Sequence, residues 1–508
     1  MSKNSFYLTT TLPYVNAPLH MGHALEFVRA DAVARYKKLL GFDVYFNTGT
    51  DEHGIKIYGR AKEEGLSVQE FVDRGFEIFK EQIKMFGVSD DAHFIRTTEE
   101  RHEKAAQEFW KRVAENGYIY KKNYEAKYCI GCESEKTDSE LVDGECPEHP
   151  GKKLEIIEEE NYFFKYSAFG GKILDFYEQN PNFVIPEFRF NEMKAFVKNG
   201  LQDFSISRLK SKMPWGIPVP DDPDHVMYVW FDALVNYIST LGWPASPLLV
   251  EEGVRGGGFK DSPPRLSGTP PSKGGENLFE KYWVRGNPTQ YCGKDNTRFQ
   301  SVMWQAMLMA AGLPNSHQIV VNGFITGEGG VRMSKTLGNV VDPRDIVRDY
   351  GIDALRYFLL REVGSFEDSP FTLERFKNAY NSGLANGLGN LASRILTLSE
   401  KYDVSLKNRQ PFLLNQVGKW MEIFDIKQAM DEIWWHISDI DKFIADKKPF
   451  SLFKTNPEKA KSDVLNSLYR LQDIAATLKP FLPETSGKII ELIEQNKKPI
   501  EPLFPRKN

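Results

Sequence analysis

The chain has 508 residues, 41% hydrophobic and 27% charged, a composition that supports several buried cores and fits a soluble protein. Its formal charge of −5 excludes a uniformly basic nucleic-acid binder, so any RNA must meet a local basic face. No apolar run approaches the ~20 residues of a membrane span, and four cysteines are too few for a disulfide framework. The first residues carry no charged leader ahead of an apolar stretch, so a reduced, cytoplasmic chain is expected.

In chain order, Ser5 to Tyr14 reads as a strand of β-branched and aromatic residues, closed by a loop with Pro13, Asn16 and Pro18. A helix is expected from Gly22 to Leu40, with Leu25, Val28, Ala32, Val33, Tyr36 and Leu39 on one stripe. Gly41 stops it, and Asp43 to Thr48 makes a second strand. Strand, helix and strand together form a βαβ unit, hence a parallel sheet with a nucleotide-type site at its strand C-termini.

The pattern then changes between residues 116 and 225, with a cysteine cluster, short strands such as Tyr162 to Tyr166, and a Pro-rich exit over Met213 to Pro223. Val226 to Trp230 is expected to resume the core sheet, and Gln318 to Val321 to add another strand. Residues 251–275 are dense in Gly, Pro and Ser without an apolar period, so an exposed, disordered insert is expected there. After Thr372 only helical periods follow, over Leu384 to Tyr402, Leu413 to Ala445 and Lys459 to Leu478. The fold class expected is multidomain α/β: a Rossmann-type doubly wound parallel sheet, split by an insert and followed by a C-terminal α-helical bundle.

Three constellations carry chemistry. His20, Met21, Gly22 and His23 sit where the first strand hands over to the first helix, so both imidazoles share one face at a helix start that favours phosphate. Gly22 leaves room for a flat base. Taken alone, such a pair is more often a helix cap or a metal-binding pair. Arg332-Met333-Ser334-Lys335-Thr336 follows Gly327-Glu328-Gly329-Gly330, so two cations on a glycine-hinged loop can close on a triphosphate. A solvated basic turn is the equal alternative. Cys129-x2-Cys132 and Cys146-x2-His149, thirteen residues apart, offer the four soft ligands of a closed zinc site. Spacing alone does not fix His149, whose place a glutamate or a water could take.

Together the first two segments resemble the HIGH and KMSKS signatures of class I aminoacyl-tRNA synthetases. Thr11 to Asn16 and Thr48 to Gly54 resemble the methionyl-tRNA synthetases within that class. The resemblance implies that Asp51 holds the substrate ammonium, and that Leu12, Tyr14, Trp230, Ala233 and Tyr237 line a methionine pocket. It implies ATP binding, with Mg2+, by His20, Gly22, His23, Gly293, Asp295 and Lys335. Catalysis would rest on His20, His23, Arg332 and Lys335. Gln300 stands where the family carries histidine, Arg332 replaces the first lysine of KMSKS, and Phe450 replaces an anticodon-stacking tryptophan. Asn390 and Arg394 match residues that read anticodon bases, with Phe450 stacking beside them. The cysteine cluster resembles the single-knuckle insert of bacterial members, with one structural zinc on Cys129, Cys132, Cys146 and His149.

On this resemblance residues 1–115 and 226–322 are the two halves of the catalytic sheet, 116–225 the zinc insert, 323–372 the Arg332 loop and stem-contact region, and 373–508 the anticodon domain. The expected activity is methionine–tRNA ligation, with L-methionine, ATP and tRNA(Met) as partners, in a monomer. Enzymes for leucine, isoleucine or valine resemble longer chains with an editing insert, and a cysteine enzyme resembles a catalytic zinc site. A tRNA-binding scaffold without activity is the alternative from another class; intact His20, His23, Asp51 and Lys335 speak against it.

Overall fold

The computed structural model describes residues 4–132, 134–136, 140–244, 277–331, 341–406 and 409–507. The 251–275 segment and the Arg332 to Thr336 loop therefore lie outside the described residues. Internal contacts group the chain into two compact units. The first holds residues 1–19, 43–81 and 90–321, and the second holds 20–42, 82–89 and 322–508.

The first unit begins with β1 (Ser5–Thr9), β2 (Asp43–Thr50) and β3 (His93–Arg96). Next come β4 (Ile119–Cys129), β5 (Ser134–Lys136), β6 (Glu155–Phe164), β7 (Val184–Ile185) and β8 (Phe204–Ser205). Then follow β9 (Ser207–Leu209), β10 (Pro218–Val219), β11 (Asp222–Met227), β12 (Thr289–Gly293) and β13 (Gln318–Asn322).

The central sheet has six strands in the order β3-β2-β1-β12-β13-β7, and β1 runs parallel to both β2 and β12. Nearly every residue of β1, β2 and β12 is buried, as expected of parallel strands covered on both faces. The order in which strands are added reverses at β1: β2 and β3 follow it on one side, and β12 and β13, from beyond residue 288, lie on the other. That is a topological switch point, where open α/β sheets bind ligands beyond the strand C-termini. Aromatic rings fill the interior; Phe109 stacks on Trp304 and meets Phe231 and Trp243 edge-on.

Two expectations about strands change. Val226 to Trp230 does not join the core sheet: β11 ends at Met227 and pairs antiparallel with β9 and β10. Asp221, at φ 61°, turns the chain straight back onto β10, and from Val229 the backbone is helical. Local hairpin pairing wins there over the distant sheet. Conversely, Val184–Ile185 inside the 116–225 segment supplies the sheet's edge strand, pairing in parallel with Ile319 and Val320.

The second unit is helical. The Met21–Leu39 helix belongs to it, with Asn390–Tyr402, Asn415–Glu422, Ile426–Lys447, Pro457–Leu478 and Pro483–Gln495. The expected helix over Leu413 to Ala445 is two helices, because Phe424 adopts φ 59° between them. Buried ions fasten the first helix to the rest of this unit. Arg29 donates to Asn322 Oδ1 and to the carbonyls of Val363, Gly364 and Ser365. Asp31 pairs with Arg356 at 2.8 Å, and Arg356 also donates to the carbonyls of Pro480 and Phe481. Breaking such a buried pair costs about 3–5 kcal/mol. Burial pushes the Asp31 carboxyl up, but Arg356 and Arg35 more than offset it and hold it below the usual range.

Candidate active site

In the first unit, Leu12, Tyr14 and Asp51 of the expected amino-acid residues follow the C-terminal ends of β1 and β2. Tyr14 forms a parallel bridge with Asp51, whose N–H donates to the Pro13 carbonyl at 3.1 Å. Leu12 and Tyr14 are half-buried, while Asp51 is 5% exposed. The residues after Asp51 are pinned. The Glu52 side chain is fully buried, and Arg96 grips it with Nε at 2.8 Å and Nη2 at 2.9 Å. Thr50 and Thr98 hydroxyls also donate to Glu52, and Trp215 Nε1 donates to its carbonyl at 2.6 Å. Charge-assisted bonds of this kind are roughly twice as strong as neutral ones.

Trp230 and Ala233 lie on the short Val229–Ala233 helix, and Tyr237 on Asn236–Ser239. Trp230 stacks flat on Phe299 at 3.8 Å. Tyr237 accepts from two neighbours: the Tyr7 hydroxyl donates to the Tyr237 carbonyl at 2.8 Å, and Gln300 Nε2 donates to the Tyr237 hydroxyl at 2.5 Å. Gln300 Oε1 in turn accepts from Gln290 at 2.7 Å. Glutamine thus uses both its donor and its acceptor at the position where the family pattern has histidine. Gly293 ends β12, and Asp295 sits in the turn of 3-10 helix that follows.

The cysteine cluster also closes. The β4–β5 hairpin carries Cys129 and Cys132, and the turn at Cys146–His149 carries the other pair. Their four ligand atoms lie within 4.8 Å of one another, with Cys132 Sγ 3.4 Å from Cys146 Sγ and 3.3 Å from His149 Nδ1. A tetrahedral zinc with bonds of about 2.3 Å needs ligand separations near ~3.8 Å. Gly131 is needed in this knuckle, because a Cβ there would lie 2.4 Å from the His149 ring. The residues fit the ion.

In the second unit, the structure gives the histidine pair a defined local geometry. His20 is the N-cap of the Met21–Leu39 helix; its Nδ1 accepts from the Gly22 N–H at 3.1 Å. Reciprocally, the His20 N–H donates to His23 Nδ1 at 3.2 Å, so the two rings form a capping box and stack at 3.8 Å. The capping alternative and the phosphate reading are compatible. With each Nδ1 accepting, a neutral ring must carry its proton on Nε2, a donor suited to phosphate. Burial, then the neighbouring His20, hold the His23 imidazole well below its usual pKa, so it is neutral. A Cβ at Gly22 would press on the His20 ring at 3.0 Å.

Farther along this unit, Arg394 pairs with Asp441, and Ser393, Arg394, Thr397, Leu398, Ile444 and Phe450 line a groove of about 310 Å³. Asn390 is exposed one turn before Arg394, and Phe450 is 53% exposed. Gly329 and Gly330, at φ 68° and 80°, lead toward Arg332 and Lys335, which lie outside the described residues. Sequence reasoning missed Arg96, Trp215 and Gln290. Arg96 lies 44 residues from Glu52 and Trp215 lies 163 away, with no local pattern linking them.

A six-stranded parallel sheet with its switch point at β1, a histidine-capped helix after that strand and an inserted cysteine cluster match the arrangement expected of a class I aminoacyl-tRNA synthetase. The family described as tRNA synthetases class I (M) matches residues 6–155 and 149–396. The methionine–tRNA ligase of Caldanaerobacter subterraneus is 41% identical over 505 residues, covering 96% of this chain and 74% of the relative. That of Brucella suis is 37% identical, covering 97% and 92%. A structure of Mycobacterium tuberculosis methionyl-tRNA synthetase in complex with methionyl-adenylate superposes with a TM-score of 0.85 at 35% identity, covering 96% of this chain and 93% of that one. The chain belongs to the methionyl-tRNA synthetase family. Among the described residues no helix is long and apolar enough to cross a membrane.

Proposed function

We propose that this chain is a methionine–tRNA ligase that activates methionine with ATP and transfers it to the 3′ end of tRNA(Met), for initiation and elongation of translation. The observation that carries the reading is near full-length similarity to ligases of that specificity, with a matching structure that holds methionyl-adenylate. In the first step a methionine carboxylate oxygen attacks the α-phosphorus of ATP in line, and pyrophosphate leaves. In the second, the terminal ribose hydroxyl of the tRNA attacks the carbonyl carbon of the adenylate, and AMP leaves. Neither step needs a covalent enzyme intermediate, so the protein contributes position and charge.

Asp51 holds the methionine ammonium, and Leu12, Tyr14, Trp230, Ala233 and Tyr237 surround its side chain. Aromatic walls suit a thioether, which makes favourable sulfur contacts at little desolvation cost. ATP enters as its Mg2+ complex; Nε2 of His20 and His23 donate to its phosphates, and Gly22, Gly293 and Asp295 hold the nucleoside. Lys335, with Arg332, neutralises the departing pyrophosphate. Cys129, Cys132, Cys146 and His149 would hold one zinc ion, which with four protein ligands has no open position and cross-links the insert. Asn390 and Arg394 read anticodon bases, on which Phe450 stacks. We place the enzyme in the cytoplasm as a monomer. Methionine-dependent pyrophosphate exchange, with leucine, isoleucine, valine and cysteine as controls, tests the reading. Exchange with methionine alone is expected; exchange with another amino acid, or none, overturns it.

A further inference from the structure

The first unit contains a cluster of buried titratable side chains that neither step of the reaction touches. His53, His102 and Asp232 are 3%, 0% and 0% exposed. Asp232 lies between the imidazoles, with Oδ2 3.2 Å from His53 Nδ1 and Oδ1 3.7 Å from His102 Nε2. On its other edge, His102 Nδ1 meets Ser239 Oγ at 2.9 Å. The contacts to Asp232 are close without being aligned as hydrogen bonds, so charge more than direction holds them. Burial pushes the His53 pKa down, but Asp232, helped by Glu103 and Glu52, reverses this and raises it. Burial likewise pushes Asp232 up, and His53 and His102 bring it below its usual value.

The placement of these three groups matters more than their chemistry. His53 follows Asp51 by two residues, and its backbone N–H points to Asp51 Oδ1 at 3.5 Å. Asp232 sits between Trp230 and Ala233 on one short helix, and Ser239 shares the next with Tyr237. His102 comes from the Glu100–Glu115 helix that supports both. The cluster therefore ties the segment after β2 to the Trp230–Tyr237 wall.

We propose that Asp232, held between His53 and His102, is a positioning residue that fixes the spacing between Asp51 and the Trp230–Tyr237 wall, and so sets which amino-acid side chains the pocket accepts. The inference rests on the reading of Asp51 and Trp230 as the two sides of that pocket. Without the ionised carboxylate, two buried imidazoles lose their common partner and the segments can separate. Amino-acid binding then weakens and discrimination by length falls, while ATP binding, which depends on other segments, is unaffected.

The test is pyrophosphate exchange with Asp232→Asn, which keeps the shape and removes the charge, with His53→Gln, and with the double variant. Each single change is expected to raise the methionine KM by about tenfold with the ATP KM within about twofold, as loss of an amino-acid contact alone requires. Preference for methionine over ethionine, one methylene longer, should fall in both. The double variant should be no worse than the worse single one, because the two changes break one link. Equal increases in both KM values, unchanged preference, or additive effects overturn the proposal. Should Asp232→Asn not fold, His53→Gln paired with His102→Gln completes the same cycle. Asp51→Asn separates the two claims. If it abolishes methionine use while the cluster variants leave the methionine KM unchanged, only the positioning role fails. If Asp51→Asn itself uses methionine normally, the pocket reading fails with it.

Discussion

Around Asp51 the polar side chains are buried and multiply bonded, whereas around Arg394 they are exposed and singly paired. Glu52 is fully buried under Arg96, Thr50 and Thr98, while the Arg394 and Asp441 side chains are 36% and 49% exposed. A buried charge pair cannot exchange partners with water, so it holds its neighbours in one geometry. An exposed pair is worth about 0–1 kcal/mol, so Arg394 can leave Asp441 for another acceptor at little cost. The first arrangement suits a small ligand that must meet reacting atoms in a fixed position. The second suits RNA bases, which are splayed out and arranged as they bind.

The largest effect should come from the buried side. Asp51→Asn is expected to cut kcat/KM for methionine in pyrophosphate exchange by ~10²–10³-fold, because a buried ammonium loses its counter-charge. Near-normal exchange would break the contrast, since the pinned region would then have no ligand to hold. Lys335→Ala should slow adenylate formation by ~10²–10³-fold, as loss of one preorganised transition-state charge does, with a smaller effect on methionine binding. Single-turnover rates with saturating methionine measure it; an unchanged rate removes Lys335 from the chemistry.

The Cys129–His149 cluster, read as a zinc knuckle, would be a third kind of anchoring, and it sharpens the comparison. Purified protein should contain about one zinc per chain, and replacing Cys129 and Cys132 with serine should remove it. Elemental analysis checks the metal, and circular dichroism should show the helices and sheet still folded. If no zinc is found, the hairpin and the Cys146–His149 turn hold the four ligand atoms together without a metal.

The sequence revealed these regions unevenly, for physical reasons. Local periodicity located the Met21–Leu39 and Pro457–Leu478 helices to within about two residues, the usual scatter at helix ends. The cysteine cluster was legible because both pairs are local turns with two residues between the ligands, a spacing that suits a metal site. The histidine cap also left a signal, since His20 and His23 have the Ncap–N3 spacing of a capping box. By contrast, nothing near Val184–Ile185 indicates that an inserted segment returns to the edge of the central sheet. The grip of Arg96 on Glu52 and the His53–Asp232 contact are likewise long-range pairings, and no helical or strand period encodes them. Phe424 reads as part of a helix because its apolar side chain fits the period, while its backbone, at φ 59°, breaks it.

On the exposed side, smaller effects confined to one step are expected. Arg394→Ala and Asn390→Ala should each weaken aminoacylation by ~1–3 kcal/mol in transition-state terms, the scale of a good base contact. Phe450→Ala should act in the same direction through lost stacking, by ~1–3 kcal/mol. Exchange without tRNA should stay nearly unchanged. Normal charging by all three variants, or an equal loss of exchange, would mean that these helices serve stability and not recognition.

The smallest expected effect is a pH dependence, and it returns to the buried side. His53 has its pKa raised in the folded chain, against burial, by Asp232, Glu103 and Glu52. Its contribution to stability is therefore fully present below the unfolded value of about 6.5 and is lost as pH rises through the folded value. Asp232, lowered by His53 and His102 against burial, behaves oppositely: its contribution is present above the ordinary carboxylate value and is lost as pH falls through the folded one. The pair stabilises most between these limits, and opposing burial keeps the net gain small. Thermal melts of the wild type and His53→Gln should thus differ most on the acid side of neutrality, by a few degrees, and converge as pH rises. The exposed Arg394–Asp441 pair should give no such convergence between wild type and Arg394→Ala, because neither charge is buried and water screens both. A gap between wild type and His53→Gln that stays constant from acid to alkaline pH would show that His53 stabilises the fold by packing, with its charge irrelevant.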